Sequence, residues 1–455
     1  MNANSTAPVV VEGGGDQVVA HVGLHAVGSL ADRLGLGAAM SARIPQARFR
    51  FHDRGKVLVQ AMLMLAGGGE ACSDIERLRA QPTLFGAVPS DSTLYRTIRS
   101  IDAAALDGIW EAMAETRSQV WRRSAVTTGN APPVVLDLDA SLVDIHSENK
   151  EGTAANYKRG FGFSPMFCFA DATGEALAAV LRPGNATANS IADQLTVLDA
   201  AVAQLPARIA AGHHRGDDHK SVRRAVEVRA DSAGCSARLA AEFRARNIGF
   251  SVVARTNPQV KAAISRVVDD EQRWSPALTQ AGEERDGASV AELTDLIDLA
   301  DWPEGTRFIV RREPLHPGAQ TSLFPSLEYR FWGQFTDRAG SPVDADVHLR
   351  AHAHVEDHIR RLKASGLERF PFTDLDANRA WMALVCFAAD LVRWFQLLCL
   401  RGPLAAAEPK TLRWQLWHTP ARVVRHARQT IVRILDDWPN ADALLAAYSR
   451  IPRIT

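Results

Sequence analysis

Three acidic side chains stand out by type and position: Asp139, Asp231 and Glu356, 92 and 125 residues apart in a chain of 455. Carboxylates are hard oxygen ligands suited to Mg2+ or Mn2+. Two such ions roughly 4 Å apart can clamp an in-line phosphoryl displacement, one activating a water or 3′-hydroxyl and the other stabilising the departing oxyanion. That chemistry needs no protein nucleophile. It needs three or four acids from different elements meeting at one spot, with substrate phosphates completing the metal shells. Each acid has a plainer alternative. An Asp at a strand end commonly caps a turn, and a lone Glu on a polar helix is commonly solvated. The set carries more weight than its members because all three fit one order of elements.

That order begins at residues 134–143, VVLDLDASLV, which read as a strand with two alternating faces. Leu136, Leu138 and Ala140 lie on one face, while Asp137 and Asp139 lie side by side on the other. GFSPMFCFAD and EALAAVLRP are two further strands joined by a turn at Asp171–Gly174. SIADQLTVLDAAVAQL is an amphipathic helix, AVEVRADSA a strand ending at Asp231, CSARLAAEFRARN a helix and IGFSVVART a fifth strand. Three strands, helix, strand, helix, strand is the order of a ribonuclease H-like α/β fold, a mixed sheet flanked by helices. In such a sheet Asp231 falls where a ligand crevice opens. The core would run over 134–256. An acidic, loop-rich stretch at 257–346 reads as an inserted subdomain with two late strands, TRFIVRRE and LEYRFWGQFTD. Residues 347–400 then supply a polar helix carrying Glu356, ended by Gly366, and an apolar helix from Asn378 to Leu400.

Residues 1–125 read as helical, and 126–133 as a linker. KVLVQAMLMLAGG is an apolar helix stopped by glycines, SDIERLRAQ has a capping-box pattern, and VPSDSTLYRTIRSI opens on helix-start residues. The last would present Thr93, Arg96 and Arg99 outward beside Tyr95, as suits a helix-turn-helix DNA reader; an ordinary helical bundle is the alternative. In the basic segment 401–455, Pro420 is expected to start a helix with Arg422, Arg425, His426 and Arg433 near one face, either solvated or placed for phosphate contact.

Net charge is zero, which taken alone disfavours a nucleic-acid partner, but the distribution is uneven. Residues 269–304 hold eleven acids and two bases, whereas 401–455 hold nine bases and four acids, so an acidic block hides basic surface elsewhere. Five scattered cysteines without a C-x-x-C pair argue against a zinc cage or a disulfide framework and fit a reducing, cytoplasmic setting. The N-terminal stretch lacks the pattern of a signal peptide. The most apolar run, Trp381 to Leu400, is broken by Asp390, Arg393 and Gln396, and reads as a buried helix. His213, His214 and His219 with Asp217 and Asp218 could form a metal site, but read better as a surface loop.

The ordered blocks LDLDASLVDIHSENKEG, YKRGFGFSPMFCFADATGEALAAVLRPGNATANSIADQL, VRADSAG, WPEGTRFIVRRE, VEDHIRRLKASGL with FPF, and ANRAWMALVCFAADLVRWFQLLCL resemble a DDE transposase of bacterial insertion sequences, in the branch called insertion sequence thirteen-eighty. The resemblance spans nearly the whole chain. It implies that Asp139, Asp231 and Glu356 are the catalytic metal ligands for two Mg2+ or Mn2+ ions, with Asp137 supporting them. It implies binding of terminal inverted repeats, strand cleavage, strand transfer into target DNA, and a homodimer on paired ends of bacterial nucleoid DNA. The related motif Tyr-x2-Arg-x3-Glu-x6-Lys is half present. Lys363 follows Glu356 as it requires, but Leu349 and His352 stand at the Tyr and Arg positions, with Arg350 or His354 as candidate replacements. On a helix Glu356, Arg360 and Lys363 share one face, which is expected to lie along DNA. Related transposases use an aromatic in the insertion to hold a flipped base, so Trp274, Trp302 and Trp332 are candidates there, with packing as the alternative. Two rival functions remain: a non-transposing metal-dependent nuclease, and an inactive DNA-binding derivative. A tyrosine recombinase is disfavoured, since none of the four tyrosines has an Arg-His-Arg context.

Overall fold

The computed structural model describes residues 17–45, 51–124, 133–315, 329–427 and 429–454. The linker expected at 126–133 lies, except for Pro133, outside them. The strands of the central sheet are β1 (Val134–Ala140), β2 (Met166–Ala170), β3 (Glu175–Val180), β4 (Val226–Ala230), β5 (Gly249–Val253), β6 (Ser275–Leu278), β7 (Glu284–Glu292), β8 (Arg307–Pro314) and β9 (Tyr329–Thr336). Their order across the sheet is β6-β7-β8-β9-β5-β4-β1-β2-β3. β1, β2 and β3 pair antiparallel, β1 pairs parallel with β4, and β4 parallel with β5. Its five strands β5-β4-β1-β2-β3 are the mixed ribonuclease H-like sheet expected from the element order, with β1 at their centre.

The inserted segment does not stand apart. β9 pairs antiparallel with β5, and β8, β7 and β6 extend the same sheet outward. β6 and β7 have no strand signal in the sequence because β7, ERDGASVAE, opens with four exposed residues and only its last half is buried.

The longer helices are α1 (Val22–Arg33), α2 (Arg54–Ala66), α3 (Asp91–Arg99), α4 (Ala103–Arg123), α5 (Ile191–Ala203), α6 (Ala237–Arg244), α7 (Pro342–Arg350), α8 (His354–Leu362), α9 (Leu375–Cys399) and α10 (Ala441–Arg450). Their starts follow the side-chain oxygens. Asp53 caps α2, Ser90 caps α3, Ser190 caps α5 and Ser341 caps α7, each accepting a backbone N–H of the first turn. The box expected at Ser73 does not form; Asp74 instead accepts the N–H groups of Glu70 and Ala71. α9 is long and apolar enough to cross a membrane, yet 78% of its most apolar window is buried inside the fold. It packs against α2, α4 and β3, so the N-terminal helices share one continuous hydrophobic core with the sheet.

Two further expectations fail. The helix carrying Glu356 is not continuous: a 3-10 turn at Ala351–Ala353 separates α7 from α8. It does end as expected at Gly366, whose φ of 108° suits glycine, and where a Cβ would meet Leu65 at 2.9 Å. The helix expected from Pro420 is a β-hairpin, Ala421–His426 with Gln429–Ile434, paired to Val18–Val19. Val423, Val424, Thr430, Ile431 and Val432 are β-branched and fit a pleated ribbon. Arg422 and Arg425, three residues apart, therefore fall on opposite faces rather than one.

Candidate active site

The site is built at the carboxyl ends of β1 and β4. These neighbours are parallel, and Asp137 stands in register with Arg229. Two residues farther along, past the Leu138–Ala230 rung, Asp139 is the penultimate residue of β1 and Asp231 immediately follows β4. DLD on β1 and RAD on β4 thus make two rungs: an ion pair below and two acids above. Asp231 leaves the strand at once, and its Oδ1 accepts the Ala233 N–H at 2.8 Å. The turn folds back so closely that a Cβ on Gly234 would lie 2.6 Å from that of Ala230. Glu356 arrives from the first turn of α8 and is exposed.

The lower rung is closed. Asp137 is fully buried and accepts Arg229 Nε at 2.8 Å, Arg229 Nη2 at 2.6 Å and His352 Nδ1 at 2.7 Å. Burial would raise its pKa, but the His352 and Arg229 bonds outweigh that and hold the carboxyl below its ordinary value. The upper rung is open. Asp139 is half-buried, and its Oδ1 accepts the N–H of Ala140 at 2.7 Å. Burial, with the negative charges of Asp231 and Glu356, pushes its pKa up to about 6 against the weaker pull of the Ala140 N–H and His352. The charges of Asp231 and Glu356 are thus both felt at Asp139. A crevice of about 10 Å3 separates Asp139 from Asp231, with Met166 and Gln194 in its wall. That holds at most one water, so a substrate must approach from the rim.

The donor set fits a hard divalent cation: three carboxylates, a raised proton affinity at Asp139, and no guanidinium or ammonium paired with Asp139 among the described residues. Among the described residues no three His, Cys, Asp or Glu side chains form a ready cage. Mg2+ does not require one, since it is commonly held by one or two carboxylates, waters and substrate phosphates.

Residues 1–455 match the family described as Transposase DDE domain group 1. The chain belongs to this family. No curated protein matches the chain. Among solved structures it is similar to the piggyBac transposase of a cryo-EM synaptic complex with hairpin DNA, at 10% identity and a TM-score of 0.41, covering 87% of this chain and 79% of that one. Likeness that loose transfers no residue.

The cations expected to meet DNA in this transposase-family chain are placed as follows. Arg360 is exposed but already paired with Asp357 and Glu408. Lys363 donates from Nζ to the Leu142 carbonyl at 3.3 Å and lines a groove of about 600 Å3 with His146 and Lys150. Arg96 and Arg99 are exposed on α3, Arg99 lying 2.8 Å from Asp374. Of the candidates for the missing motif contacts, Arg350 is held by Asp346 and His354 by Asp171, while His352 turns inward to Asp137. Trp274 donates to the Val267 carbonyl and Trp302 stacks on Phe335 at 4.2 Å, both packing roles. Trp332 is 39% exposed beneath Arg311. His213 is buried, with Nε2 accepting the Ala225 N–H; Nδ1 therefore carries the proton and faces the Arg246 carbonyl. His214 and His219 bond to Asp217 in the same loop.

Sequence reading did not find the roles of Arg229, His352 and Asp171. The signal was there in part: Arg-x-Asp on β4 repeats the Asp-x-Asp spacing on β1, and parallel register turns equal spacing into paired rungs.

Proposed function

We propose that this chain is a DNA transposase of the insertion sequence thirteen-eighty branch. It would bind terminal inverted repeats, cut a strand at each end to free a 3′-hydroxyl, and join that hydroxyl to target DNA. The observation that carries the reading is the open upper rung. Asp139 and Asp231 line one crevice directly above an acid that is fully paired, Glu356 acts on Asp139 from α8, and none of the three pairs with a cation among the described residues, which supports this reading. Asp139, Asp231 and Glu356 would hold two Mg2+ or Mn2+ ions, which when bound supply a Lewis-acid clamp on the attacking and leaving oxygens. The chain's own part is positional. β1 and β4 fix two carboxylates on adjacent strands, α8 brings the third, and the narrow crevice keeps the phosphodiester at the rim. Arg360 of α8 and Lys363, which directly follows α8, would meet backbone phosphates, and Arg96, Arg99, Arg422 and Arg425 would extend the DNA contact. A homodimer on paired ends, acting on cytoplasmic nucleoid DNA, completes the proposal.

The test is strand cleavage and joining of a duplex ending in the inverted repeats that flank the gene, with Mg2+ present. Cleavage without end preference or joining would favour a plain nuclease. Full activity in Asp139→Ala, Asp231→Ala or Glu356→Ala would remove the site assignment.

A further inference from the structure

The sequence VHLRAHAHVED places three histidines just before Glu356, and the proposed reaction uses none of them. In the structure this segment is fastened at three points. The carbonyl of His348 accepts Arg229 Nη1 at 2.9 Å. The ring of His352 donates to Asp137 at 2.7 Å, and the ring of His354 donates to Asp171 at 2.9 Å. Arg229 joins the two acids, since its Nη2 lies 2.6 Å from Asp137 and 2.9 Å from Asp171. One guanidinium on β4 therefore ties together β1, the turn after β2 and the last turn of α7, and through Asp137 and His352 the 3-10 turn that launches α8 is joined to them.

We infer that Arg229, Asp137 and His352, with His354 and Asp171 at the edge, form a positioning network that fixes the helix of Glu356 relative to Asp139 and Asp231. This rests on the metal-binding reading of the acids proposed above. The geometry explains why the motif's arginine position holds a histidine. A short imidazole reaches Asp137 beside Arg229; a second guanidinium there would place two cations on one buried carboxylate. The break between α7 and α8 makes such fastening necessary. Across a 3-10 turn, the direction of α8 is not inherited from α7 through a continuous helical hydrogen-bond ladder. The His352–Asp137 and His354–Asp171 contacts supply the direction instead, and the forked Arg229–Asp137 pair holds the Asp137 carboxylate in place for them, because a bidentate pair fixes orientation as well as distance. Partners that orient metal ligands from behind typically change metal affinity by about 10- to 100-fold when removed.

The experiment uses the full chain. Mn2+ binding is followed by electron paramagnetic resonance, and backbone hydrogen exchange of residues 354–362 is followed without metal. Arg229→Lys keeps the charge and loses the fork. It is expected to raise exchange in 354–362 and to weaken Mn2+ binding by about tenfold or more. His352→Arg, which restores the residue type of the family motif, is expected to weaken binding as well. His352→Gln serves where Arg229→Lys does not fold. Arg117→Lys, in an equally buried ion cluster elsewhere, is the control: it should lower the melting temperature while leaving Mn2+ affinity unchanged below that temperature. Unchanged exchange in 354–362 overturns the network whatever the metal does. Raised exchange with unchanged Mn2+ affinity overturns its positioning role. If the unmodified chain binds Mn2+ no better than Asp231→Ala, the metal reading fails instead, and the metal-free exchange data alone judge the network.

Discussion

Two buried carboxylate clusters in this molecule use the same chemistry to opposite ends. In the first, Arg117 of α4 binds Glu175 of β3 at 2.9 Å, Asp390 of α9 at 2.7 Å and Gln204 at 2.6 Å. Trp121 and Trp394 each donate an indole N–H to Glu175, and Asp390 accepts the Ala176 N–H. Donors surround both carboxylates, and the cluster locks the N-terminal helices to the sheet. In the second, Arg229 and His352 close on Asp137, with Asp171 also on Arg229, while Asp139, two residues on, pairs with no cation among the described residues. Closed clusters specify structure, because a buried charge without a partner is costly. An open acid at a strand end is tolerated where something from outside can complete it. The contrast separates Asp137 from Asp139, which share a strand face and a residue type.

The comparison can be broken most sharply at the open acids. Asp139→Ala, Asp231→Ala and Glu356→Ala should each reduce cleavage by on the order of a thousandfold or more, with melting temperature maintained, since each removes a mutually repelling charge. A large loss of stability would make these acids structural. The opposite pattern is expected at the closed cluster. Arg117→Ala should cost about 3–5 kcal/mol in denaturant unfolding by stranding two buried carboxylates, with Mn2+ affinity intact in the protein that stays folded.

A finer test is titration of the closed cluster. Burial, reinforced by Glu175 and opposed by Arg117, pushes the Asp390 carboxyl up to about 7. A carboxyl raised above its unfolded value binds more protons in the native state, so its contribution to stability falls as pH rises between the two values. Thermal melts from about pH 4 to about pH 7 should show this slope, and Asp390→Asn should flatten it. Equal slopes would show that Asp390 is ionised throughout. The smallest effect is expected on α8. Lys363→Ala should lower the salt dependence of repeat-end binding by about one charge. Arg360→Ala should lower it less, because Asp357 and Glu408 already oppose that guanidinium. A larger change for Arg360 would mean that DNA displaces both carboxylates.

Much of the core was legible because local patterns sufficed. The strand runs, the helix start in VPSDSTLYRTIRSI, the glycine stops and the long apolar α9 are written in nearest-neighbour chemistry. The acids were found by type and by order of elements. The hairpin at 421–434 was misread because arginines three apart look like a helix face, while the β-branched residues between them fit a pleat. Strands β6 and β7 were missed because a polar strand gains its place from the neighbour it pairs with, here β8. The roles of Arg229 and His352 were hidden because hydrogen-bond partners 92 and 215 residues from Asp137 leave no local trace.

The sequence by itself determined the order of elements, the residue types at the carboxyl ends of two strands, and the presence of an acid on a later polar helix. Only the tertiary structure decided which acids are closed and which are open. That choice depends on where a guanidinium and an imidazole arrive from other elements. Burial and long-range pairing set the charge left on each carboxylate, and neither is a property of a residue in its own stretch of chain.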